Sequence, residues 1–442
     1  MTIRMDEGAA ELLDTLHRAG YAAYVVGGCV RDSLLGLTPH DWDLCTSALP
    51  QQGMELFGAE KCIPTGLQHG TVTVKQGGGL YEITTFRTEG AYTDGRHPDE
   101  VHFVPDVRED LARRDFTINA MAYNAKEGLI DPFGGQADLQ SGILRAVGVP
   151  HQRFTEDALR ILRLYRFAAR FGFSIDPPTA QAAQKLCAHL DCVSVERIEE
   201  ELAKLLRAPA PAAYLDEKIL GVVLPELSPE ALAAAKPVVD ACPAGERALP
   251  VRLAALLLSL GEDGTRRTLR RLRCSNACIE ETAVLVREVV SGVPVAFSSD
   301  TNRAIPSPAL LPAATGSHPS GRSSEKLPAR PPVSLNIYTR KLLGKYNLCT
   351  VQRLAALGTA LQSERSADFA ALSELAERLD ADGVCCRISQ LAVNGRDLMA
   401  AGVPAGPGIR KVLEALLDGV IREEYSNERQ ALLAAVQQLA AS

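Results

Sequence analysis

"VVGGCVRDSLLGLTPHDWDLCTSALP", residues 25–50, sets a double glycine, an Arg-Asp pair and two aspartates one residue apart within a single short stretch. Apolar Tyr24, Val25 and Val26 read as the end of a strand, after which Gly27 and Gly28 let the chain turn sharply with its backbone N–H groups exposed. Residues 30–37 read as a short helix whose positive end, with Arg31, favours an anion at the turn. Asp32 caps or orients that turn. The segment HDWDLCT then alternates as a strand does, which predicts Asp41 and Asp43 on one face and Trp42 and Leu44 on the other. Two carboxylates on one face repel unless a cation sits between them. Oxygen-only ligation suits Mg²⁺, which keeps several waters and shares substrate phosphates. The stretch reads as a triphosphate grip beside a metal site.

Composition bounds what can surround it. A chain of 442 residues with 46% hydrophobic content is long enough for two to four domains and a sizeable core. The start, MTIRMDEGAAELLDTLHRAGY, carries acids and helical spacing (Leu12, Leu13, Leu16) where a signal peptide needs an apolar block. The longest aliphatic run, LAALLLSL at 253–260, falls far short of the roughly 18 residues that cross a bilayer, so the expectation is a cytoplasmic protein that uses no membrane. Eleven scattered cysteines with no Cys-x-x-Cys pair argue against zinc or disulfide frameworks, and Cys274 and Cys278 read as buried structural thiols. A net charge of −7 excludes an indiscriminate nucleic-acid binder but leaves room for a local basic surface. Arginine is dense in RRTLRRLR (266–273) and LRILRLYRFAARF (159–171), and the first reads equally well as a solvated helix face.

Residues 1–145 mix helix and strand signals, with TVTVK (71–75), YEITTFR (81–87) and VHFV (101–104) expected as strands of one sheet. Beyond about residue 150 the pattern is almost wholly helical, apart from residues 296–334, which are rich in Ser and Pro, lack a period and read as a disordered linker. Helical signals resume at 338–347 and run to the end, interrupted by the turn-rich VNGRDLMAAGVPAGPG (393–408).

Several further residues carry chemistry. Glu82, facing opposite to Tyr81 and Ile83, is either a third carboxylate of the metal site or a surface glutamate. In ARRDFTINAMAYN (112–124), Arg113, Arg114 and Asp115 lead into an expected apolar helix; Asp115 suits a helix cap, and paired guanidiniums suit phosphate or ribose oxygens. The glycines of IDPFGGQADL (130–139) suggest a hinge. In TEDALRILRLYRFAAR (155–170), read as one helix, Ile161, Leu164, Ala168 and Phe171 form a buried face, with Arg163, Arg166 and Arg170 on the far side as a basic stripe. Glu156, Asp157 and Arg160 lie one turn apart at its start. They form a plain salt bridge, or Asp157 and Arg160 present acceptors and donors to the Watson–Crick edge of an incoming base.

The order GGCVRD, DWD, RRDFTINA, DPFGG, EDALRILRLYRF and ERIEEEL (196–202) resembles the class II tRNA nucleotidyltransferases, the CCA-adding enzymes, which share a superfamily with bacterial poly(A) polymerases. The tail, LAVNGRDLMAAGVPAGPGIRKVLEALLDGVIREEYSNERQALL, is similar to the C-terminal region of the same family. The resemblance implies an α+β head with a mixed sheet and helices, followed by an all-α neck, body and tail in an elongated seahorse shape. The expected divisions are a catalytic head (1–145), a neck with the nucleotide-selecting helix (146–207), a body (208–295), the linker (296–334) and a tRNA-binding tail (335–442).

Residue by residue, the resemblance implies that Asp41 and Asp43 bind Mg²⁺ and that Gly28 and Arg31 hold the triphosphate; Glu82 joins the catalytic candidates on its strand position alone. Arg114 and Asp115 contact the nucleotide sugar or phosphates. Asp157 and Arg160 form a protein template for C or A, Glu156 orients Arg160, and Arg163 and Arg166 complete the pocket. The implied reaction adds C, C and A from CTP and ATP to tRNA, one metal activating the 3′-hydroxyl and a second neutralising pyrophosphate. No stable protein partner is expected. Leu258 and Ser259 stand where many relatives carry a His-Asp pair in the body, so phosphohydrolase activity is not expected. The neighbouring alternatives are an enzyme adding only A, a poly(A) polymerase, and a non-catalytic tRNA-binding protein; the intact Asp41/Asp43 pair opposes the last.

Overall fold

The computed structural model describes residues 2–90, 101–291 and 334–440. The expected linker, Ser334 excepted, lies outside the described residues, as do residues 91–100. The chain forms two compact units, Met1–Pro229 with Arg271–Arg273, and Glu230–Arg270 with Cys274–Ser442.

The first unit opens with the helix Glu7–Arg18, capped by Asp6, whose carboxylate accepts from Gly8 N (3.1 Å) and Ala9 N (3.3 Å). Leu12, Leu13 and Leu16 form its buried stripe, as their spacing predicts. Eleven strands follow among its described residues: β1 (Ala23–Val26), β2 (Leu44–Thr46), β3 (Cys62–Gly66), β4 (Thr71–Gln76), β5 (Gly79–Thr85), β6 (Arg87–Glu89), β7 (Val101–Phe103), β8 (Ala122–Asn124), β9 (Gly128–Ile130), and the parallel pair β10 (Ile143–Leu144) and β11 (Ser174–Ile175). Seven build one mixed sheet in the order β3-β4-β5-β2-β1-β8-β9. Only β2 and β5 run parallel within it, Leu44 opposite Ile83; the other neighbours are antiparallel. β1 is central and buried at all four positions, which is why AYVV is apolar without alternation.

Three expectations for this unit need correction. VHFV does not join the large sheet: β7 pairs with β6 in a separate two-stranded ribbon, Arg87 opposite Phe103. RRDFTINA is not the start of a helix either. The helix Val107–Ala112 has already ended, and a single 3₁₀ turn (Thr117–Asn119) leads into β8, because the segment must return its chain to the sheet beside β1. The DPFGG glycines, read as a hinge, instead begin the helix Gly135–Ser141 under tight packing. A Cβ on Gly135 would lie 2.2 Å from the Thr117 carbonyl oxygen, and Asp131 accepts from Gly135 N (2.7 Å) and Gln136 N (2.9 Å).

The second unit is helical among its described residues. Leu249–Leu257, Asn276–Val290 and Leu348–Leu361 pack on one another, and the C-terminal part closes a core around Leu398, Leu416, Leu432 and Val436. The turn-rich stretch 393–408 holds a short helix, Gly395–Ala400, capped by Asn394. Cys274 and Cys278 are half-buried rather than buried. In RRTLRRLR, Arg266 pairs with Glu262 at 3.0 Å and with Glu280, an ion-paired face rather than a bare basic one. No helix among the described residues is long and apolar enough to cross a membrane.

Candidate active site

The double glycine is where the first unit concentrates its chemistry. Gly27 takes φ 78° and ψ −122°, a backbone state that L side chains resist, and its N–H donates to Met121 O (3.1 Å) while the helix Gly28–Leu34 starts immediately after it. The helix begins two residues before the expected 30–37 and ends at Leu34. Space is short as well: a Cβ on Gly27 would lie 2.8 Å from Arg114 Nη1. The Arg114 guanidinium thus lies directly over the turn, and buried Asp110 anchors it at 3.5 Å. Gly27→Ala is expected to displace Arg114; should that guanidinium hold a phosphate, as the sequence resemblance implies, the KM for the nucleoside triphosphates rises by about tenfold, the size of a lost charged contact of ~1.4 kcal/mol. Steady-state kinetics with each nucleotide checks this; unchanged KM values would detach Arg114 from the phosphates.

Arg31, expected at the phosphates, faces inward. Its Nε donates to Asp32 Oδ1 (2.8 Å) and its Nη1 to Asn119 Oδ1 (2.6 Å), and the guanidinium lies 5.2 Å from the Phe167 ring and 4.9 Å from that of Phe171. In this conformation it braces the turn from behind, while Gly28 opens the helix.

Asp41 and Asp43 do not lie on a strand: β2 begins only at Leu44. Asp43 is nevertheless pinned, its carbonyl accepting from Val26 N (2.9 Å), so the loop enters β2 beside the glycine turn. Glu82 is exposed between buried Tyr81 and Ile83 on β5, whose register with β2 brings it alongside. The protein packed around Asp43 pushes its carboxyl above the usual range; Arg114 opposes this, and Glu82 and Asp41 add to it. Asp43 therefore feels two neighbouring carboxylates, with Arg114 near. Among the described residues no group of three His, Cys, Asp or Glu side chains is drawn close enough to hold an ion unaided. The donor set fits a hard divalent cation that takes the rest of its shell from water and phosphate.

The segment expected to select the nucleotide is not one helix. Pro150–Glu156 ends, Asp157 is extended (φ −142°, ψ 105°), and a new helix runs Leu159–Phe171. Asp157 causes the break by accepting from Leu159 N at Oδ1 (3.0 Å) and from Arg197 Nη2 at Oδ2 (2.8 Å). Glu156 and Arg160 meet across it, with Arg160 Nη1 donating to Glu156 Oε2 (2.6 Å) and Arg153 O (3.2 Å), and Nη2 to Arg113 O (3.2 Å).

The basic stripe is not a free surface. Arg163 forks onto Asp115 Oδ2 through Nε (2.9 Å) and Nη2 (2.6 Å), Arg166 is buried in an ion pair with Glu201 (2.5 Å) and lies 3.8 Å from the centre of the Phe167 ring, and Arg170 reaches Asp32 (3.3 Å). Burial alone would raise the Asp115 carboxyl, but Arg163 and the Asn119 side-chain amide (3.0 Å) outweigh it and hold it well below the usual carboxylate range.

Four residues of this network were not singled out from the sequence: Asn119, Asp110, Arg197 and Glu201. Asn119 joins Arg31 to Asp115, and Arg197 and Glu201 hold Asp157 and Arg166 from the helix Val195–Leu206. ERIEEEL contains the last two, and it entered the sequence reading only as one segment of the family resemblance. The informative signal was a run of acids and one arginine on a helix following an arginine-rich one.

Comparison with known proteins supplies the family. Residues 23–145 match the model described as "Poly A polymerase head domain", and residues 337–436 match a tRNA nucleotidyltransferase domain 2 model. A CCA-adding enzyme of Lactobacillus delbrueckii subsp. bulgaricus is 37% identical over 431 residues, 96% of this chain and 96% of that protein. That of Geobacillus stearothermophilus is 34% identical over 438 residues, 96% and 95% of the two chains. A crystal structure of the Bacillus stearothermophilus CCA-adding enzyme in complex with CTP superposes with a TM-score of 0.76 at 30% identity, covering 99% of this chain and 98% of that one. With the glycine turn, the carboxylates and the arginine network on one unit and this likeness running end to end, the chain belongs to the CCA-adding enzyme family of nucleotidyltransferases.

Proposed function

We propose that the protein extends the 3′ end of tRNA with C, C and A, taking the nucleotides from CTP and ATP, releasing pyrophosphate and using no nucleic-acid template. The observation that carries this is a continuous chain of contacts within one unit. Arg160 binds the carbonyl of Arg113; the next residue, Arg114, crosses the Gly27 turn and acts electrostatically on Asp43. Base-reading groups and phosphate-side groups are thereby held in fixed relation, as selection without a template requires.

Asp41 and Asp43, with Glu82 beside them, would hold Mg²⁺, which when bound lowers the pKa of the attacking hydroxyl and neutralises the departing pyrophosphate. Arg114 and the glycine turn it crosses grip the triphosphate, and Arg31 keeps that turn in shape. Asp115 positions Arg163, Glu156 positions Arg160, and Arg166 fills the floor of the pocket against Phe167. Asp157 offers a carboxylate acceptor to the exocyclic amine shared by C and A, and Arg160 offers donors to the neighbouring ring acceptor. The division into head, neck, body and tail and a cytoplasmic setting belong to the same proposal.

The test supplies a tRNA lacking CCA with CTP, ATP and Mg²⁺ and sequences the 3′ ends. Complete CCA on most ends is expected. Unextended ends on this substrate, with A gained only on a tRNA ending in CC, would reduce the reading to A addition, and long A tracts would replace it with poly(A) synthesis.

A further inference from the structure

Arg153 stands outside every role assigned above, yet it touches both halves of the site. It lies in the last turn of the helix Pro150–Glu156 with little of its side chain exposed. Its Nη1 donates to Ala112 O (3.0 Å), its Nη2 donates to Glu156 Oε1, and its own carbonyl accepts from Arg160 Nη1 (3.2 Å). Ala112 ends the helix Val107–Ala112, and its carbonyl and that of Arg113 are among the last of that helix, which no further turn satisfies. Arg153 takes the first and Arg160 the second (3.2 Å). The two arginines therefore cap adjacent carbonyls immediately before Arg114.

The division of Glu156 matters most. Its two oxygens are shared, Oε1 to Arg153 and Oε2 to Arg160 (2.6 Å). A carboxylate facing one guanidinium alone settles into the two-pronged fork, which would consume two parallel N–H donors of Arg160. With Oε1 occupied, Glu156 engages only Nη1 of Arg160, and the Nε–H and one Nη2 hydrogen are left for a base.

We infer that Arg153 is a positioning residue for nucleotide selection: by occupying one oxygen of Glu156 and the Ala112 carbonyl, it keeps Arg160 from closing onto Glu156 and fixes the base-reading edge relative to Arg114. This rests on the base-reading role of Arg160 proposed above. Arg153 touches no substrate in this account. It acts through Glu156 and Arg160.

The experiment measures single-nucleotide incorporation by the full-length protein on a tRNA lacking CCA, with CTP and with UTP, for wild type, Arg153→Gln, Arg153→Lys and Arg160→Ala, alongside melting temperatures. Loss of Arg153 is expected to lower kcat/KM for CTP by about tenfold or more while leaving UTP nearly unchanged, so the CTP:UTP ratio shrinks at a similar melting temperature. Arg153→Lys should shift the ratio in the same direction but less, because one ammonium cannot bridge both acceptors as a planar fork does. If Arg153→Gln melts several degrees lower, Arg153→Lys decides alone. A ratio equal to wild type, or equal losses for CTP and UTP, would overturn the inference. Should Arg160→Ala also keep the wild-type ratio, the base-reading proposal falls and the inference with it; a ratio lost in Arg160→Ala but kept in the Arg153 variants overturns the inference alone.

Discussion

Asp43→Ala is expected to lower the transfer of both C and A by about a thousandfold or more, with tRNA affinity within a few fold of wild type, and Asp41→Ala to do the same. The expectation rests on the company Asp43 keeps. Its carboxyl is raised above the usual range by the protein around it, with Glu82 and Asp41 adding and Arg114 alone opposing. None of the three carboxylates has an ion-pair partner among the described residues, and Arg114 offsets their effect on Asp43 only in part, an arrangement that suits the divalent cation proposed there. A pH dependence follows with a definite sign. Asp43 takes up its proton at a higher pH than an ordinary aspartate and the protonated form is a poor metal ligand, so activity at low Mg²⁺ should decline with acid sooner than an ordinary aspartate would make it. Because metal and proton compete for the same oxygen, saturating Mg²⁺ should move that acid limb to lower pH. Rate profiles at two Mg²⁺ concentrations measure the shift. Near-normal turnover in either alanine variant, or an acid limb indifferent to Mg²⁺, would remove these residues from the metal site.

The turn at Gly27 and the apolar strand before it were legible in the sequence because both are local: β1 is buried on all sides, and the backbone at Gly27 admits little but glycine. The place of Asp41 and Asp43 was legible only in part. Their alternation with Trp42 and Leu44 mimics a strand, whereas the ladder starts at Leu44, where Val25 supplies a partner from 19 residues earlier in the chain. The break at Asp157 was hidden for the same reason. TEDALR favours helix locally, and the carboxylate that interrupts it is held by Arg197 from another helix. Most of the polar network is likewise non-local. Arg163, Arg166 and Arg170 have the spacing of a solvated basic stripe, and only the approach of Asp115, Glu201 and Asp32 from three other segments turns it into an ion-paired face, with Arg166 buried, Arg163 half-buried and Arg170 still exposed.

Replacing Asp157 and Arg160 together by alanine should leave the carboxylates and the glycine turn intact and remove discrimination against UTP and GTP. Arg160 sends three hydrogen bonds to Glu156, Arg153 and Arg113, which leaves two of its five N–H donors for a base. Each Asp157 oxygen accepts one bond, so both retain a lone pair. An acceptor beside a pair of donors matches the amino group and neighbouring ring acceptor of C and of A. Uracil presents a carbonyl where the amine should be, directly against the Asp157 carboxylate. Rejection of that kind is worth ~1 to 3 kcal/mol for each polar group left unpaired. Losing both readers should therefore bring UTP and GTP within about tenfold of CTP, chiefly by slowing CTP and ATP rather than by quickening the others. If the pair were merely a salt-bridged helix start, the variant would melt slightly lower and keep its preference for C and A. Incorporation of each of the four nucleotides, on a tRNA lacking CCA and on one ending in CC, separates these outcomes. Undiminished selectivity in the double variant would leave Asp157 with no task beyond breaking the helix and holding Arg197.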